Sequence, residues 1–214
     1  MAPSERDLRS ACQVLADRDE ALAKAHDRIG LPNWRVIEPT FEALARMIAY
    51  QQISTRAASA IWGRVCNRLP AMTPADLLGT PDDTLRDCGL SRPKISHMRA
   101  IAVACDNGAL CMETLCAVPI DEARKHLTAV KGIGPWTADV FLMTATGALD
   151  AFPTGDVGLM ESYRLLRGDD AKLPPKVFLK RAETWRPFRG VAAHLLWDWI
   201  NNERGRDIAP APEA

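Results

Sequence analysis

The sequence predicts an all-α protein, and three observations support this fold class. Ala occurs 32 times, whereas Val and Ile together occur 21 times, and Ala favours helices while β-branched residues favour strands. Apolar residues recur at helical spacing between residues that typically cap helices. No segment alternates apolar and polar residues over more than a few positions, as half-buried strands do. We therefore expect about ten helices joined by short loops.

Composition places the chain among ordinary globular proteins. Its 214 residues allow one domain with two lobes, and 47% hydrophobic with 25% charged residues excludes a disordered chain. Lys plus Arg and Asp plus Glu both number 27, so the formal net charge is zero. Nucleic-acid binders usually carry a basic excess. Any DNA binding must therefore come from a local face of the protein.

The cysteines and the lack of long apolar runs predict a cytoplasmic protein without membrane association. The six cysteines form no C-x-x-C pair, which excludes the usual zinc and thioredoxin spacings. We expect free thiols in a reducing compartment. No apolar run reaches the ~18 residues of a membrane span, and the first ten residues hold no apolar signal segment.

Cap residues predict the helices of the first half of the chain. The first helix should continue to the Gly/Pro break at 30–33, and the second should carry an apolar stripe over 41–65. Two of the starts combine Thr with a following Pro, which is favoured at the first helical position. The predicted N-caps are Ser4, Thr40, Thr73, Thr80 and Ser91.

The second half of the chain contains a helical hairpin and three further helices. A helix over roughly 121–130 ends at Lys131-Gly132-Ile133-Gly134, and Pro135 starts a helix that ends at Gly147. A non-helical link follows over 150–155. The later helices are predicted at about 156–167, 175–185 and 188–203, before a polar, Pro-rich tail.

The hairpin has the chemistry of an anion-binding site. Gly132 and Gly134 allow a tight turn and a close approach of another molecule. The N-terminus that follows offers free N–H groups and a positive dipole end, so it can bind phosphate without lysine. A simple helix–helix turn is the alternative. A dinucleotide-binding fingerprint is excluded, because a helix precedes the turn and Trp136-Thr137 follow Gly134 where a third glycine is needed.

A carboxylate beyond the hairpin adds a second feature. Asp156 follows Gly134 by 22 residues and starts a predicted helix. An acid there most often caps the helix. Together with the hairpin, however, this segment resembles the helix-hairpin-helix (HhH-GPD) DNA glycosylase superfamily, whose motif is a hairpin, a Gly/Pro-rich loop and an aspartate ~20 residues further on. The resemblance implies that Asp156 is catalytic.

The resemblance covers roughly residues 40–200 and is closest to the bacterial 3-methyladenine DNA glycosylase II group. It includes the stretches 49–55, 89–94, 185–189 and 194–197. The resemblance implies a two-lobed helical fold with the active site in the cleft between the lobes. One lobe is expected at 40–147 with its hairpin at 131–135, the other at 1–39 plus 148–207, and a tail at 208–214.

The family likeness also implies which residues bind duplex DNA. An everted base leaves a gap that a wedge side chain fills, and the matching residue is Gln52 with Gln51 beside it. Both could instead be solvated helix residues. Lys94 belongs to a basic group with Arg92 and Arg99 that could face DNA or form a solvated helix face. The residues expected to contact DNA are Gln51, Gln52, Lys94, Gly132, Gly134 and Thr137.

The substrate pocket should be aromatic, because a cationic alkylated purine is attracted to ring faces. Trp136 and Trp197 match the family's pocket tryptophans, and Tyr50 is a further candidate, although a core role is the commoner one for such residues. A cationic purine is already a good leaving group. One carboxylate, Asp156, then suffices to stabilise the oxocarbenium-like sugar or to orient water.

Lyase activity and an iron–sulphur cluster are not expected. Bifunctional relatives carry a nucleophilic lysine directly after the hairpin, where this sequence has Trp136. No cysteine follows Cys116, which excludes the C-terminal cluster of several relatives. No cofactor is required. In the family, hairpin carbonyls hold a monovalent cation, which implies Na⁺ or K⁺ at the carbonyls of Val130 and Ile133.

The expected function is that of a monomeric, monofunctional DNA glycosylase. It would hydrolyse the N-glycosidic bond of alkylated purines in damaged duplex DNA and leave an abasic site. Two alternatives stay open: a glycosylase for deaminated or oxidised bases on the same scaffold, and a module that binds damaged DNA without catalysis. The larger bacterial relatives also have a strand-rich N-terminal domain that contributes to the pocket, whereas about 40 residues precede the matching region here. Val140 stands where a close relative has an aromatic residue.

Overall fold

The computed structural model describes residues 2–205, and its all-α architecture confirms the predicted fold class. Across these residues there are thirteen α-helices, one 3₁₀ turn at Glu183–Trp185, and no strand. None of the helices in this range has the length and apolar character needed to cross a membrane. The predicted tail at 208–214 lies outside the described residues. The helices are α1 Glu5–Arg18, α2 Glu20–Ile29, α3 Phe41–Tyr50, α4 Thr55–Arg68, α5 Pro74–Gly79, α6 Asp82–Asp87, α7 Arg92–Asp106, α8 Met112–Ala117, α9 Ile120–Thr128, α10 Pro135–Thr146, α11 Val157–Arg167, α12 Pro175–Ala182 and α13 Arg189–Glu203.

The chain forms two compact units. Residues 38–138 make up the first unit, which contains α3 to α9. The second unit combines the described residues before 38 with those after 138, and contains α1, α2 and α11 to α13. The division falls inside α10, whereas the sequence places the lobe boundary at the end of this helix. The cleft between the lobes stays a prediction.

In the first unit, α7 packs against α3, α5 and α6. Arg99 on α7 donates to the carbonyls of Leu77 and Leu78, both at 3.1 Å, and pairs with Asp82 at 2.6 Å. These bonds satisfy carbonyls that the end of α5 leaves without intrahelical partners. The guanidinium of Arg99 is therefore used within the protein. The buried core includes Leu44, Ile48, Leu77, Leu85, Ile95, Met98, Ile101 and Leu127.

The predicted first helix is broken in two at Asp19. Its backbone is extended at φ −149° and ψ 113°, and its carboxylate caps α2 by accepting from the N–H of Ala21 at 3.0 Å. The same buried carboxylate accepts from the Tyr163 hydroxyl at 2.9 Å and from Nε1 of Trp185 at 3.0 Å. These long-range bonds outweigh the continuous helical pattern, so the prediction of one helix was wrong.

The predicted helix over 41–65 is also interrupted, at residues 51–54. Gln51 is extended and ends α3, Gln52 has φ 58°, and Ser54 caps α4 by accepting from the N–H of Ala57 at 3.3 Å. The alternative in which both glutamines are ordinary helix residues is therefore wrong. Cap chemistry explains the interruption, because a serine inside a helical pattern can start a new helix.

Thr73 and Thr80 carry the same sequence signal but behave differently. Thr73 forms a capping box with Asp76 at the start of α5. Thr80 instead ends α5, and Pro81 precedes α6 without a side-chain cap. Asp82 and Asp83 in the first turn of α6 complement its dipole. The short helix α8 was not predicted from the sequence.

In the second unit, α13 packs against α1, α2 and α11. Four aromatic rings form a buried cluster beside it, with centroid separations of 5.4 to 6.0 Å. The cluster consists of Phe152, Tyr163, Phe178 and Trp185. It joins α11 and α12 to the loop that leads into α11.

The start of α13 lies directly against the loop at 148–151. The N–H of Gly190 donates to the carbonyl of Leu149 at 2.7 Å. A Cβ at Gly190 would lie 2.8, 2.9 and 3.0 Å from the carbonyl oxygens of Leu149, Ala148 and Ala151. Only glycine allows this approach, which fixes α13 against the segment that continues to Asp156.

Candidate active site

The hairpin between α9 and α10 depends on Gly132. This residue has φ 96°, and a Cβ there would lie 2.4 Å from Cβ and Cγ of His97 on α7. Glycine is required both by the left-handed backbone and by the close packing. Gly134 differs, because nothing lies within 4 Å of its hypothetical Cβ. The buried side chain of Ile133 anchors the turn between them.

The outer side of the hairpin offers an exposed backbone that leads into a helix N-terminus. Gly134, Pro135 and Trp136 are exposed, with 40% of Trp136 accessible. The first N–H groups of a helix lack intrahelical partners and lie at its positive end, so they favour a phosphate. The ammonium of Lys131 lies 3.2 Å from the Ser96 hydroxyl. The geometry therefore suits the anion-binding role that the sequence predicts.

Thr137 and Gln51 join this hairpin to the turn after α3. The side chain of Thr137 is buried, and its hydroxyl accepts from Nε2 of Gln51 at 3.1 Å. This bond ties the turn at residues 51–54, called the wedge turn after the predicted role of Gln52, to the first turn of α10. The structure therefore gives both residues a contact inside the protein, and their contact with DNA stays a prediction.

Gln52 occupies a strained backbone position at the tip of the wedge turn. It is an exposed non-glycine residue with φ 58°, a conformation that costs of order 1 kcal/mol. The next residue, Ile53, also exposes its apolar side chain. The turn thus holds an amide and an aliphatic side chain outward from the protein, as a wedge requires.

Lys94 and Tyr50 lie beside the same turn. Nζ of Lys94 donates to the carbonyl of Ala49 at 2.7 Å, and burial lowers the pKa of this lysine. The bond satisfies a carbonyl at the negative end of α3. Tyr50 is half-buried, with the Arg46 guanidinium 5.4 Å from its ring centroid. For Lys94 this geometry favours a positioning role over a phosphate contact.

A cation at the hairpin would depend on backbone oxygens. Within the described residues, no group of three or more His, Cys, Asp or Glu side chains could hold a metal ion. The carbonyl of Val130 accepts from the N–H of Ile133 at 3.1 Å. A carbonyl oxygen has two lone pairs, so this bond leaves it able to contact a second partner.

Asp156 lies at the N-terminus of α11 in the second unit. Its Oδ1 accepts from the N–H of Leu159 at 2.9 Å, so the carboxylate is the N-cap of this helix. Its own N–H donates to the carbonyl of Pro153 at 3.1 Å, and the residue is half-buried. These bonds fix the position of the carboxylate. The cap interpretation is therefore correct, and it leaves a catalytic role open.

Asp156 and Trp197 both lie beside Gly158. A Cβ at Gly158 would lie 3.0 Å from Oδ1 of Asp156 and 4.0 Å from both Cδ1 and Nε1 of Trp197. The structure thus brings together the predicted catalytic carboxylate and a predicted pocket tryptophan. The half-buried indole presents its pyrrole edge toward this space.

Trp197 is held in place by residues that sequence reasoning missed. The guanidinium of Arg35 lies 5.6 Å from its ring centroid, and the His194 ring meets it edge-on at 5.7 Å. Trp34 in turn stacks on the His194 ring. His194, Trp197 and Asp198 are three and four residues apart on α13, so they share one helix face. That spacing was the signal available in the sequence.

Asp198 anchors the segment that carries Trp34 and Arg35. Its Oδ2 accepts from the N–H of Asn33 at 2.7 Å, and Arg35 lies 3.8 Å from its Oδ1. Burial raises the pKa of Asp198, while the Asn33 N–H and the Arg35 charge act in the opposite direction. The segment before α3 is thereby fixed against α13.

His194 is a neutral core residue at this site. Its Nδ1 lies 2.9 Å from the carbonyl of Gly190, and a carbonyl only accepts, so Nδ1 carries the proton. Burial lowers the pKa of His194 from its usual 6.5 to about 4. Its buried Nε2 has no hydrogen-bond partner within the described part of the chain.

Comparisons with known proteins identify a family that matches this chain. A family described as HhH-GPD superfamily base excision DNA repair protein matches residues 45–187. DNA-3-methyladenine glycosylase 1 of Schizosaccharomyces pombe is 33% identical over 162 residues, which are 73% of this chain and 71% of that protein. The superfamily resemblance inferred from the hairpin and Asp156 is thereby confirmed.

Two solved structures are similar over most of the chain. DNA-3-methyladenine glycosidase from Bacillus halodurans aligns with a TM-score of 0.81 at 30% identity and covers 91% of both chains. The Schizosaccharomyces pombe 3-methyladenine DNA glycosylase in complex with abasic DNA aligns with a TM-score of 0.77 at 30% identity, over 88% of this chain and 95% of that chain.

Proposed function

Because the chain belongs to the HhH-GPD superfamily of base excision DNA repair proteins, we propose that it is a DNA glycosylase. Its substrates are alkylated purines of the 3-methyladenine type in duplex DNA. It hydrolyses the N-glycosidic bond and leaves an abasic site. Relatives named as 3-methyladenine DNA glycosylases support this substrate class.

The observation that carries the proposal is the placement of Asp156 beside Trp197. Cleavage of the glycosidic bond develops positive charge on the sugar, and a fixed carboxylate nearby stabilises that charge or orients the attacking water. Oδ1 of Asp156 is held by the N–H of Leu159. The half-buried Trp197 indole, over which the Arg35 guanidinium lies at 5.6 Å, is the proposed stacking partner of a cationic base.

The other unit supplies the groups that hold the DNA. Backbone N–H groups at Gly134 and the start of α10 bind a phosphate, which removes the need for net positive charge. Gln52 enters the gap that the everted base leaves in the duplex. A related glycosylase has been solved in complex with abasic DNA, which supports DNA as the partner.

The reaction proposed here includes no lyase step. A Schiff base requires an amine beside the sugar, and the position after the hairpin is occupied by Trp136. Borohydride reduction during turnover should therefore trap no covalent adduct between protein and DNA. A trapped adduct would contradict the monofunctional assignment.

A monovalent cation at the hairpin is part of the same proposal. The carbonyls of Val130 and Ile133 would hold Na⁺ or K⁺ and supply a positive charge beside the bound phosphate. DNA binding should then be tighter in KCl or NaCl than in N-methylglucamine chloride of equal ionic strength. We also propose that the protein acts as a monomer in the cytoplasm, with the chromosome.

The test is base release from methylated duplex DNA. The wild type should release 3-methyladenine and 7-methylguanine, and Asp156→Asn should lower the rate at least about 100-fold. Asn caps helices about as well as Asp, so the variant should fold normally. Asp76→Asn, which changes another helix-start carboxylate, should keep full activity.

The same assay separates the alternatives. Release of hypoxanthine, uracil or an oxidised base in place of methylated purines would assign another lesion class. An Asp156→Asn variant that releases bases at the wild-type rate would overturn the catalytic assignment. Tight binding to damaged DNA without any base release would identify a non-catalytic binding module.

A further inference from the structure

Gly158 is a glycine that the backbone of α11 does not require. It is the second residue of the helix, and its φ lies outside the left-handed region. Alanine is a better helix former than glycine at ordinary helical positions. Glycine at this position leaves open the space that a side chain would fill.

A side chain at residue 158 would meet two groups of the candidate active site. The nearest atoms to its hypothetical Cβ are Oδ1 of Asp156 at 3.0 Å, and Cδ1 and Nε1 of Trp197 at 4.0 Å. Other glycines have different surroundings. Gly190 meets three backbone carbonyls, whereas Gly63 in the middle of α4 meets nothing within 4 Å.

The two side chains beside Gly158, those of Asp156 and Trp197, are held in place by other contacts. The cap bond to the N–H of Leu159 fixes the Asp156 carboxylate at 2.9 Å. Contacts with Arg35 and His194 fix the Trp197 ring. An added methyl group must therefore shift the carboxylate by a few tenths of an ångström, and it comes into contact with the edge of the Trp197 ring.

On the basis of the function proposed above, we propose that Gly158 is a substrate-positioning residue whose missing side chain admits the deoxyribose of the everted nucleotide. The sugar joins the base to the DNA strand, so it lies between a base stacked on Trp197 and the carboxylate that stabilises its charge. The missing side chain leaves room for the sugar beside Oδ1 of Asp156.

Filling the space of the sugar and filling the space of the base have different expected effects on base release. The deoxyribose is the same in every lesion, so filling its space should slow release of all alkylated purines by one common factor. Filling the space of the base would instead slow release of larger bases more than that of smaller ones. An abasic site also retains the sugar, so its binding should weaken together with catalysis.

The experiment compares Gly158→Ala and Gly158→Val with the wild type, with Gly63→Ala as a matched helical control. Single-turnover release of 3-methyladenine and 7-methylguanine should fall roughly 10- to 100-fold with Ala, because small displacements of reacting groups cost this much. Val should cause a larger loss. The melting temperature of Gly158→Ala should stay close to that of the wild type, because the helical preference of Ala offsets a weakened cap at Asp156. Gly63→Ala should keep full activity.

A second measurement does not depend on turnover. Affinity for a duplex with a tetrahydrofuran abasic-site analogue should fall at least about fivefold in Gly158→Ala, while affinity for undamaged duplex stays unchanged. Unchanged release or a loss that differs between the two bases would overturn the role of Gly158. Absence of base release by the wild type would instead overturn the proposed function.

Discussion

The indole of Trp34 lies flat against the imidazole of His194, with ring centroids 4.1 Å apart and 19° between the ring planes. His194 is fully buried, and burial lowers its pKa to about 4 because the charged ring would lose its hydration. The contact therefore involves a neutral imidazole at neutral pH. His194 also meets Trp197 edge-on, so the stack supports the candidate pocket.

Acid should weaken the fold through His194. Below its usual pKa of 6.5 the unfolded chain binds a proton that the folded protein does not bind until about pH 4. The free energy of unfolding should therefore fall by up to about 1.4 kcal/mol per pH unit across this window and then level off. Urea denaturation between pH 7 and pH 4 measures this.

The control for this pH effect is His194→Gln, which removes the titrating group. Asp198, whose raised pKa acts in the opposite direction, is present in both proteins. The stability of the variant should depend less on pH than that of the wild type between pH 6.5 and about 4. Parallel pH profiles for the two proteins would exclude His194 as the cause.

Asp19 should be essential for stability. Replacing it with Ala leaves the Tyr163 hydroxyl and the Trp185 Nε1–H without their acceptor in the core. The expected loss is about 3 kcal/mol or more in the free energy of unfolding, measured in urea. Tyr163→Phe removes one bond to Asp19 together with the acceptor of Arg181 Nε, and it should cost about 1 to 2 kcal/mol. A loss for Asp19→Ala no larger than that of Tyr163→Phe would contradict this assignment.

The two hairpin glycines should respond differently to alanine. Gly132→Ala forces a Cβ against His97 in a left-handed backbone, so unfolding should become easier by at least about 2 kcal/mol. Gly134→Ala meets nothing within 4 Å and should leave the melting temperature unchanged. If DNA approaches the bare backbone at Gly134, its alanine variant should still bind duplex DNA more weakly. Full DNA affinity in Gly134→Ala would rule out such an approach.

Lys94 should contribute more to the stability of the protein than to its affinity for DNA. Lys94→Met removes the donor to the Ala49 carbonyl and should lower the melting temperature. A lysine on a phosphate contributes about 0.9 to the slope of log affinity against log salt. We expect this slope to stay unchanged in Lys94→Met, as measured by fluorescence anisotropy from 50 to 200 mM KCl. A decrease of the full 0.9 would restore the phosphate contact that the sequence suggests.

Local signals were sufficient to predict much of the fold, whereas the catalytic candidate came from the family resemblance. The sequence predicts that α10 starts at Pro135 and is terminated by Gly147, as in the structure, because proline and glycine start and end helices through their own backbone properties. The same holds for the cap at Asp156. Contacts between residues that are distant in sequence could not be predicted in this way. The break at Asp19 depends on Tyr163 and Trp185, which lie far along the chain.

The surroundings of Trp197 show the same limit at the site. Its position was predicted from a resemblance, but its contacts with Arg35 and His194 arise from a tertiary fold that brings two ends of the chain together. The role proposed for Gly158 could not be predicted from the sequence either, because helical periodicity does not indicate which residues lie near a glycine. Residues that act by filling or leaving space become visible only in three dimensions.

The contact of Gly190 with the carbonyls of Leu149, Ala148 and Ala151 has a consequence for how this enzyme class can diversify. Main-chain atoms set the alignment of α13 with the segment that leads to Asp156, so that alignment is insensitive to the identity of neighbouring side chains. Under the proposed function, side chains of α13 can then be exchanged, and lesion preference changed, while α13 keeps its position against the loop that leads to Asp156.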